Sequence, residues 1–352
     1  MDALNHLGNI YSSDRGEIAR GREFHLRAKA ALSRLPERND SLAAMIEYNL
    51  TLAAEALGDF AEADAGYERT AKLHLQTQGE RSQWYWVTLG DWADLVCKYG
   101  DRARADQIFE RMRSVLPAKP DAEEAYYVAR SKELQGKCLT YQGRAREAIP
   151  LLEAVVTDYT GKPVDLTSAQ AKLGDAYDRA GRSDDARRTL KQALDGSVEL
   201  GANVKVLDSP RILNVRERWG RFLLDHEEIE EAEKQLREVV TEDHDRNLQA
   251  TALAHGDLAQ LALLRGDANA ATSESIEALR VAGKLSGGRN PHTEPSLWRI
   301  HAQALARTGE VAGARDYAQR ALDAFRRYDD PASTEIAKSA AVLAEIDRLA
   351  KK

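Results

Sequence analysis

The sequence predicts an all-α protein built as an array of helical hairpins, and two observations support this prediction. The first is composition: 43% of the 352 residues are hydrophobic, 30% are charged and only 6% are aromatic. Ala, Leu, Glu and Arg dominate, and these residues favour helices. The second is an internal repeat of glycines about 42 residues apart. A repeat of this length indicates a row of similar units, so chain length alone does not set the number of domains.

Each cycle of the repeat is predicted to turn at a glycine, because glycine adopts the left-handed conformation that ends a helix. One cycle carries a glutamate at this position instead. The predicted turns lie near Gly16, Gly58, Gly100, Gly143, Gly181, Glu227, Gly266 and Gly309. Segments rich in helix breakers separate one cycle from the next, and they lie at 36–40, 117–121, 161–163, 208–210 and 287–291. The pattern therefore predicts two helices per cycle.

Small residues recur on both sides of each turn. Those after the turn are Gly21, Ala63, Ala105, Ala148, Ala186, Ala232, Ala271 and Ala314. Those before it are Gly8, Thr51, Ala93, Gly136, Gly174, Gly220, Ala259 and Ala302, the first being out of step by one residue. Small side chains let two antiparallel helices approach closely. Each cycle is therefore interpreted as a helical hairpin.

The array is predicted to occupy residues 1–328, and residues 329–352 are predicted to form a C-terminal capping helix. The stretch Ala340–Ile346 is amphipathic and follows a breaker-rich segment. A stacked array needs such a helix, because its last hairpin would otherwise expose the apolar face that stacks on a neighbour.

These residues resemble the tetratricopeptide repeat family, whose pattern is W-x2-L-G-x2-Y, a turn, and then A-x3-F. The fifth cycle matches best, with Leu173, Gly174 and Tyr177 before the turn and Ala186 and Leu190 after it. The resemblance implies a right-handed superhelical solenoid of about eight hairpins plus the capping helix. The period of about 42 residues exceeds the family's usual 34, and in this the chain is similar to the long repeats of kinesin light chains and bacterial regulators.

Composition and motifs argue against several classes of function. The formal net charge of −7 does not suit a nucleic-acid or anionic-membrane binder, which needs a basic surface. No leader pattern and no apolar run long enough for a membrane span is present, which favours a cytoplasmic protein. The sequence has no phosphate-binding loop, dinucleotide-binding turn, metal-binding helix or nucleophile elbow. The eight histidines show no metal-ligand spacing. We therefore expect no cofactor, no metal and no catalytic site.

Binding is the function that this fold favours, and the first helix of each hairpin lines the concave face of such a superhelix. Polar side chains there suit an extended peptide backbone or an acidic side chain, because arginine offers a rigid fork of donors. A solvated helix face is the alternative at each position. The candidate partner-binding residues are Asn5, Asn9, Tyr48, Arg130, Lys137, Asp175, Arg179, Arg221, Arg299 and Gln303.

Three functions remain open from the sequence. The first is a non-catalytic scaffold that binds a protein or peptide, as the repeat or sensor part of a bacterial signalling protein. The second, by resemblance, is a peptide-regulated protein similar to the response-regulator phosphatases, and the third is a structural homo-oligomeric scaffold. The cluster of Trp84, Trp86 and Trp92 is interpreted as packing between helices, with a ligand-binding box as the alternative.

Overall fold

Strong helix formers fill the chain between its breaker-rich segments, and the structure, a computed structural model, is helical throughout these stretches. It describes residues 1–14, 17–36, 39–204, 210–243, 248–284, 292–328 and 333–350. Within these ranges no residue lies in a strand. The predicted all-α class is therefore confirmed.

The described residues form seventeen α-helices, most of them long enough to pack along a neighbour. A short π-helical segment, Ile10–Asp14, follows the first of them. The helices are α1 (Asp2–Asn9), α2 (Ile18–Leu32), α3 (Asp40–Leu57), α4 (Phe60–Gln78), α5 (Gln83–Lys98), α6 (Arg102–Val115), α7 (Glu124–Tyr141), α8 (Ala145–Asp158), α9 (Pro163–Arg179), α10 (Ser183–Val204), α11 (Pro210–Asp225), α12 (Ile229–Glu242), α13 (Gln249–Leu264), α14 (Ala268–Ala282), α15 (Thr293–Thr308), α16 (Val311–Tyr328) and α17 (Thr334–Leu349).

The predicted turns have the backbone conformation that the glycine pattern requires. Gly58, Gly100, Gly143, Gly181, Gly266 and Gly309 all have φ between 75° and 87°. Glu227, the exception in the glycine series, also turns the chain with φ 63°, and it alone among the described non-glycine residues has a positive φ. Gly16 lies outside the described residues. Seven of the eight predicted positions thus have the left-handed backbone conformation that is typical of a helix end.

Small residues lie where two helices approach most closely. The alanines predicted to follow each turn, from Ala63 to Ala314, have no exposed surface. A Cβ atom on Gly174 would lie 2.5 Å from the Cγ atom of Leu190, and one on Gly136 would lie 2.7 Å from that of Leu152. The two helices of a hairpin could not pack at this distance around a larger side chain. The predicted reason for small residues is thus confirmed.

The described residues group into two compact units, and the boundary falls inside α7 after Gln135. Unit 1 contains the described residues from 1 to 135, and its core includes Ala54, Tyr67 and Leu95. Unit 2 contains the described residues from 136 onward, and its largest core cluster extends from Leu139 to Leu261. Both cores consist of side chains that consecutive helices bury against each other.

The last helix, α17, packs against α15 and α16 in unit 2. Its Val342 and Ile346 join Leu305, Ala314 and Ala318 in one apolar cluster. This is the contact that a capping helix makes, while the proposed boundary between array and cap at residue 329 stays a prediction. No described helix is both long enough and apolar enough to cross a membrane.

Candidate partner-binding faces

The first helices of successive hairpins in unit 1 are joined by a row of polar side chains, which we call the polar row: Tyr48 of α3, Asp91 of α5 and Arg130 of α7. The hydroxyl of Tyr48 donates a hydrogen bond to Asp91 Oδ2 at 2.5 Å. Arg130 Nη2 donates to Asp91 Oδ1 at 3.0 Å. Burial raises the pKa of both Asp91 and Tyr48, so Tyr48 stays a neutral donor at neutral pH. Two predicted site residues are thus connected through a carboxylate that the prediction did not include.

An exposed indole lies beside the polar row. Trp84 of α5 is 47% exposed, and its ring lies edge-on to that of Tyr48 with ring centroids 6.1 Å apart. It stacks on His74, which is 2% exposed and whose two ring nitrogens have no hydrogen-bond partner. Trp86, in contrast, is fully buried, as the packing interpretation predicts. Trp84 is therefore an apolar surface group next to polar side chains of fixed position.

The predicted site residues of α1 have different environments. Asn9 is exposed, whereas Asn5 is only 4% exposed. The side-chain oxygen of Asn5 accepts a hydrogen bond from Asn49 Nδ2 at 3.0 Å and lies 2.9 Å from His25 Nδ1. These contacts join α1, α2 and α3, so Asn5 organises the helices around it.

Stability of unit 1 should depend on pH through His25. Burial lowers the pKa of His25 from its ordinary value of 6.5 to about 4, so the unfolded chain binds a proton more readily than the folded one below pH 6.5. The free energy of unfolding should therefore fall between pH 6.5 and 4, by on the order of 2 kcal/mol at pH 5 from this residue. Urea unfolding at pH 7.5 and 5 checks this. His25→Gln should show a smaller loss than wild type, and equal losses would contradict the prediction.

Unit 2 has a charge cluster, which we define as Glu217, Arg221 and Asp225 of α11 with Asp257 of α13. Arg221 donates to Asp257 Oδ2 through Nη2 at 3.1 Å and Nε at 3.2 Å. Its Nη2 also lies 2.7 Å from Glu217 Oε1. Burial raises the pKa of Asp257 to about 7 and raises those of Glu217 and Asp225. The predicted donor Arg221 is therefore engaged by carboxylates of its own chain.

The remaining predicted residues of unit 2 are partly exposed. Asp175 of α9 forms an ion pair with Arg218 of α11. Lys137 is half-buried, with its ammonium nitrogen 5.9 Å from the ring centroid of Tyr141. Gln303 is half-buried on α15, and Arg179 is exposed on α9.

Arg299 of α15 is the most enclosed of the predicted arginines, with a side chain that is 13% exposed. Its Nη2 donates to Glu335 Oε2 of α17 at 3.0 Å. Its Nε is buried without a hydrogen-bond partner. The guanidinium therefore has one N–H group that donates to no acceptor.

Sequence reasoning missed the acidic partners of these side chains. Asp91 and Asp257 lie on the first helices of their hairpins, each two residues before the recurring small residue, Ala93 and Ala259 respectively. A search that included this position in every cycle would have found both. Glu335 gives no such signal, because it lies beyond the repeat.

The polar row offers hydrogen-bond donors and acceptors in fixed positions, and Trp84 offers apolar surface beside them. This combination suits the recognition of a ligand. Among the described residues, no three His, Cys, Asp or Glu side chains are placed so that they could hold a metal ion.

Comparison with known proteins agrees with this fold. Residues 134–197 match the tetratricopeptide repeat family, while no curated protein matches the sequence. The apo quorum sensor NprR from B. thuringiensis shares 13% identity, with 91% of this chain and 87% of that chain covered and a TM-score of 0.59.

Two further solved structures are ligand complexes. A Rap protein complexed with competence and sporulation factor is 12% identical, with 99% of this chain and 98% of that chain covered and a TM-score of 0.54. NprR in complex with its cognate peptide NprX is 14% identical, with 89% and 84% covered and a TM-score of 0.53. Identities this low establish fold alone. The chain thus has the fold of tetratricopeptide-like repeat proteins, and residues 134–197 match the repeat of that family.

Proposed function

We propose that this protein is a non-catalytic, cytoplasmic scaffold that binds a protein segment or an extended peptide along the first helices of its hairpins. It would act as the repeat or sensor part of a bacterial signalling protein. The observation that supports this proposal most strongly is the polar row with its neighbour Trp84. Tyr48, Asp91 and Arg130 come from three successive hairpins, and their mutual bonds hold donors and acceptors in place before a ligand arrives.

Preorganised polar groups favour binding because less side-chain entropy is lost when the ligand docks. An exposed tryptophan adds a large apolar contact at small entropic cost, and such residues often dominate binding energy. An extended peptide could offer backbone amides to the polar row and an apolar side chain to Trp84. Two proteins of the same fold, NprR and a Rap protein, have been solved with NprX and with competence and sporulation factor, which supports a peptide as the ligand here.

The first test is selection from a mixture of short synthetic peptides of random sequence. The protein is incubated with the mixture and separated by gel filtration, and co-eluting peptides are identified by mass spectrometry. We expect a sequence-selective subset to be retained. Trp84→Ala should weaken binding of that subset by about tenfold or more, as expected for an aromatic hot spot.

Leu264→Ala is the matched control, because Leu264 is 63% exposed at the end of α13, a helix that contributes no residue to the polar row, and its loss removes a comparable exposed apolar side chain. It should leave the retained peptides unchanged. Retention of no subset, or equal retention by wild type and Trp84→Ala, would oppose the proposal.

Two alternative functions have distinct outcomes. A response-regulator phosphatase would accelerate loss of the phosphoryl group from a phosphorylated receiver domain, and acceleration above background would replace our proposal. A structural scaffold would instead form a defined oligomer in light scattering and retain no peptide.

A further inference from the structure

His74 of α4 has an environment unlike that of the other buried histidines that the structure describes. It is 2% exposed, and among the described residues neither of its ring nitrogens has a hydrogen-bond partner. His25 Nδ1, in contrast, lies 2.9 Å from Asn5 Oδ1. His301 Nδ1 lies 2.8 Å from Ser275 Oγ. Burial lowers the pKa of His74, so its imidazole is neutral at neutral pH and has one donor and one acceptor that are unused.

Thr70, one turn before His74 on α4, is also buried without a partner. It has no exposed surface, and no described group forms a hydrogen bond with its hydroxyl. Thr51 and Thr140 are buried in other helices, and each donates to the carbonyl oxygen four residues earlier at 2.8 Å. Residues four apart lie on one face of a helix. This face of α4 therefore has polar groups that lower stability unless a partner satisfies them.

Trp84 of α5 stacks on His74 and is the exposed member of this contact. The two ring centroids are 6.2 Å apart with the ring planes at 16°, and Trp84 is 47% exposed. Trp86 and Trp92 are held by their indole N–H groups, which donate at 2.8 Å and 2.6 Å to oxygen atoms of the protein. The indole of Trp84 donates to no described residue. Rotation of its side chain would therefore uncover His74 without breaking such a bond.

We propose that Trp84 covers a polar recess with His74 and Thr70 as its floor, and that the recess takes a primary carboxamide, the end of an Asn or Gln side chain of the bound peptide. A carboxamide has a carbonyl acceptor and an NH2 donor, which complement a neutral imidazole and a hydroxyl. A charged side chain does not suit the recess, because an ion buried against neutral groups is costly. This inference rests on the proposed function and specifies which side chain of the peptide is recognised.

The recess lies beside the polar row. The ring centroid of Trp84 is 6.1 Å from that of Tyr48, whose hydroxyl is bonded to Asp91. A peptide that lies along the polar row thus has a side chain within reach of Trp84. Such a peptide stabilises the rotated position of the indole. The displaced indole stays at the surface, where it supplies the apolar contact of the proposed function.

A purely structural role for His74 is the competing explanation. In that case its ring only fills space under Trp84, and its nitrogens contribute nothing to binding. His74→Phe keeps a ring of similar shape and removes the two unpaired nitrogens. The variant should therefore fold and raise the midpoint of thermal unfolding by about 2–4 °C, so any loss of binding is not a loss of structure.

The first test uses propionamide as the probe and the full-length protein with ¹⁵N-labelled histidines. Propionate, at constant ionic strength, is the charged control of similar shape. We expect propionamide to shift the imidazole nitrogen signals of His74 in a saturable manner, and propionate to leave them unchanged. The signals are assigned by their loss in His74→Phe. Those of His301 are the internal control and should not move, because its Nδ1 already has a partner.

The second test uses the peptides that wild type retains in the selection described above. They should be enriched in Asn or Gln at one position. His74→Phe and Thr70→Val should each bind such a peptide about tenfold more weakly in calorimetric titration, the effect of one lost hydrogen bond. Thr140→Val is the matched control, since it removes a buried hydroxyl that is bonded within its own helix, and it should bind as wild type does. Replacing the Asn or Gln of the peptide by Leu should weaken binding to wild type but not to His74→Phe.

The outcomes separate this inference from the function on which it rests. His74 signals that propionamide leaves in place, or equal affinity of wild type and His74→Phe for a retained peptide, overturn the recess while the peptide-binding function stands. A saturable shift of the His74 signals without retention of any peptide overturns the peptide-binding function and leaves the recess standing.

Discussion

Arg221→Met is expected to lower the free energy of unfolding by about 3–5 kcal/mol at pH 7.5, the cost of leaving buried carboxylates without their cation. Glu217 and Asp257 are 4% and 5% exposed, and Arg221 is the cation that contacts both. Such a loss is a large part of the stability of an ordinary domain. Urea unfolding followed by circular dichroism measures it.

The loss should depend on pH in a defined direction. Burial already raises the pKa of both carboxyl groups, and without Arg221 they should rise further. Protonation removes the buried charge, so the difference in the free energy of unfolding between Arg221→Met and wild type should shrink as pH falls.

Lys191→Met is the control, because Lys191 is 53% exposed and its ion pair with Asp195 lies at the surface. It should change stability by less than about 1 kcal/mol. A difference that stays constant with pH would contradict this account of the charge cluster.

Gly174→Ala is expected to destabilise unit 2 by about 2 kcal/mol, although alanine favours a helix by about 1 kcal/mol over glycine. The added Cβ atom would lie 2.5 Å from Leu190 Cγ and 3.4 Å from the backbone nitrogen of Leu190. Leu190 is 1% exposed, so it has no free space to move into, and the hairpin must open instead. Thermal or urea unfolding measures the change.

A second glycine provides the matched control for this substitution. Gly313 lies inside α16, and a Cβ atom there would lie 3.4 Å from Leu305 Cδ1, at ordinary contact distance. Gly313→Ala should therefore stabilise the protein by up to about 1 kcal/mol. Leu190→Ala alone should cost about 2–5 kcal/mol, and the double variant should lose less than the sum of the two single losses, since the two positions compete for the same space. If both glycine variants shift stability alike, close helix packing at Gly174 is not the cause.

The fold could be predicted from the sequence because its determinants are local and repeat. A glycine such as Gly181 marks the end of one helix, and an alanine such as Ala186 marks the contact with its partner, with the same spacing in each cycle. Repetition also located the turn at Glu227, where the residue type alone gives no signal. The observed φ of 63° there shows that hairpin packing imposes the left-handed conformation on a residue that rarely adopts it.

The candidate faces could be predicted only in part. The repeat identified Tyr48 and Arg130 as residues of first helices, but it could not reveal that Asp91 joins them. It also gave no means to distinguish Asn5, which is buried, from Asn9, which is exposed. Burial and partners depend on which side chains of other helices lie opposite, and a single helix contains no information about this.

The sequence by itself determined the class of the fold, the position of the hairpin turns and the places where helices must approach closely, since each follows from the conformational and steric limits of a residue type. Only the tertiary structure decided which charges are paired. Arg221 lies among carboxylates, Arg299 binds Glu335 from a helix beyond the repeat, and Arg179 keeps its exposed position. The energy of a charge depends on its solvent exposure and on the groups within a few ångströms, and both are set when distant parts of the chain pack together.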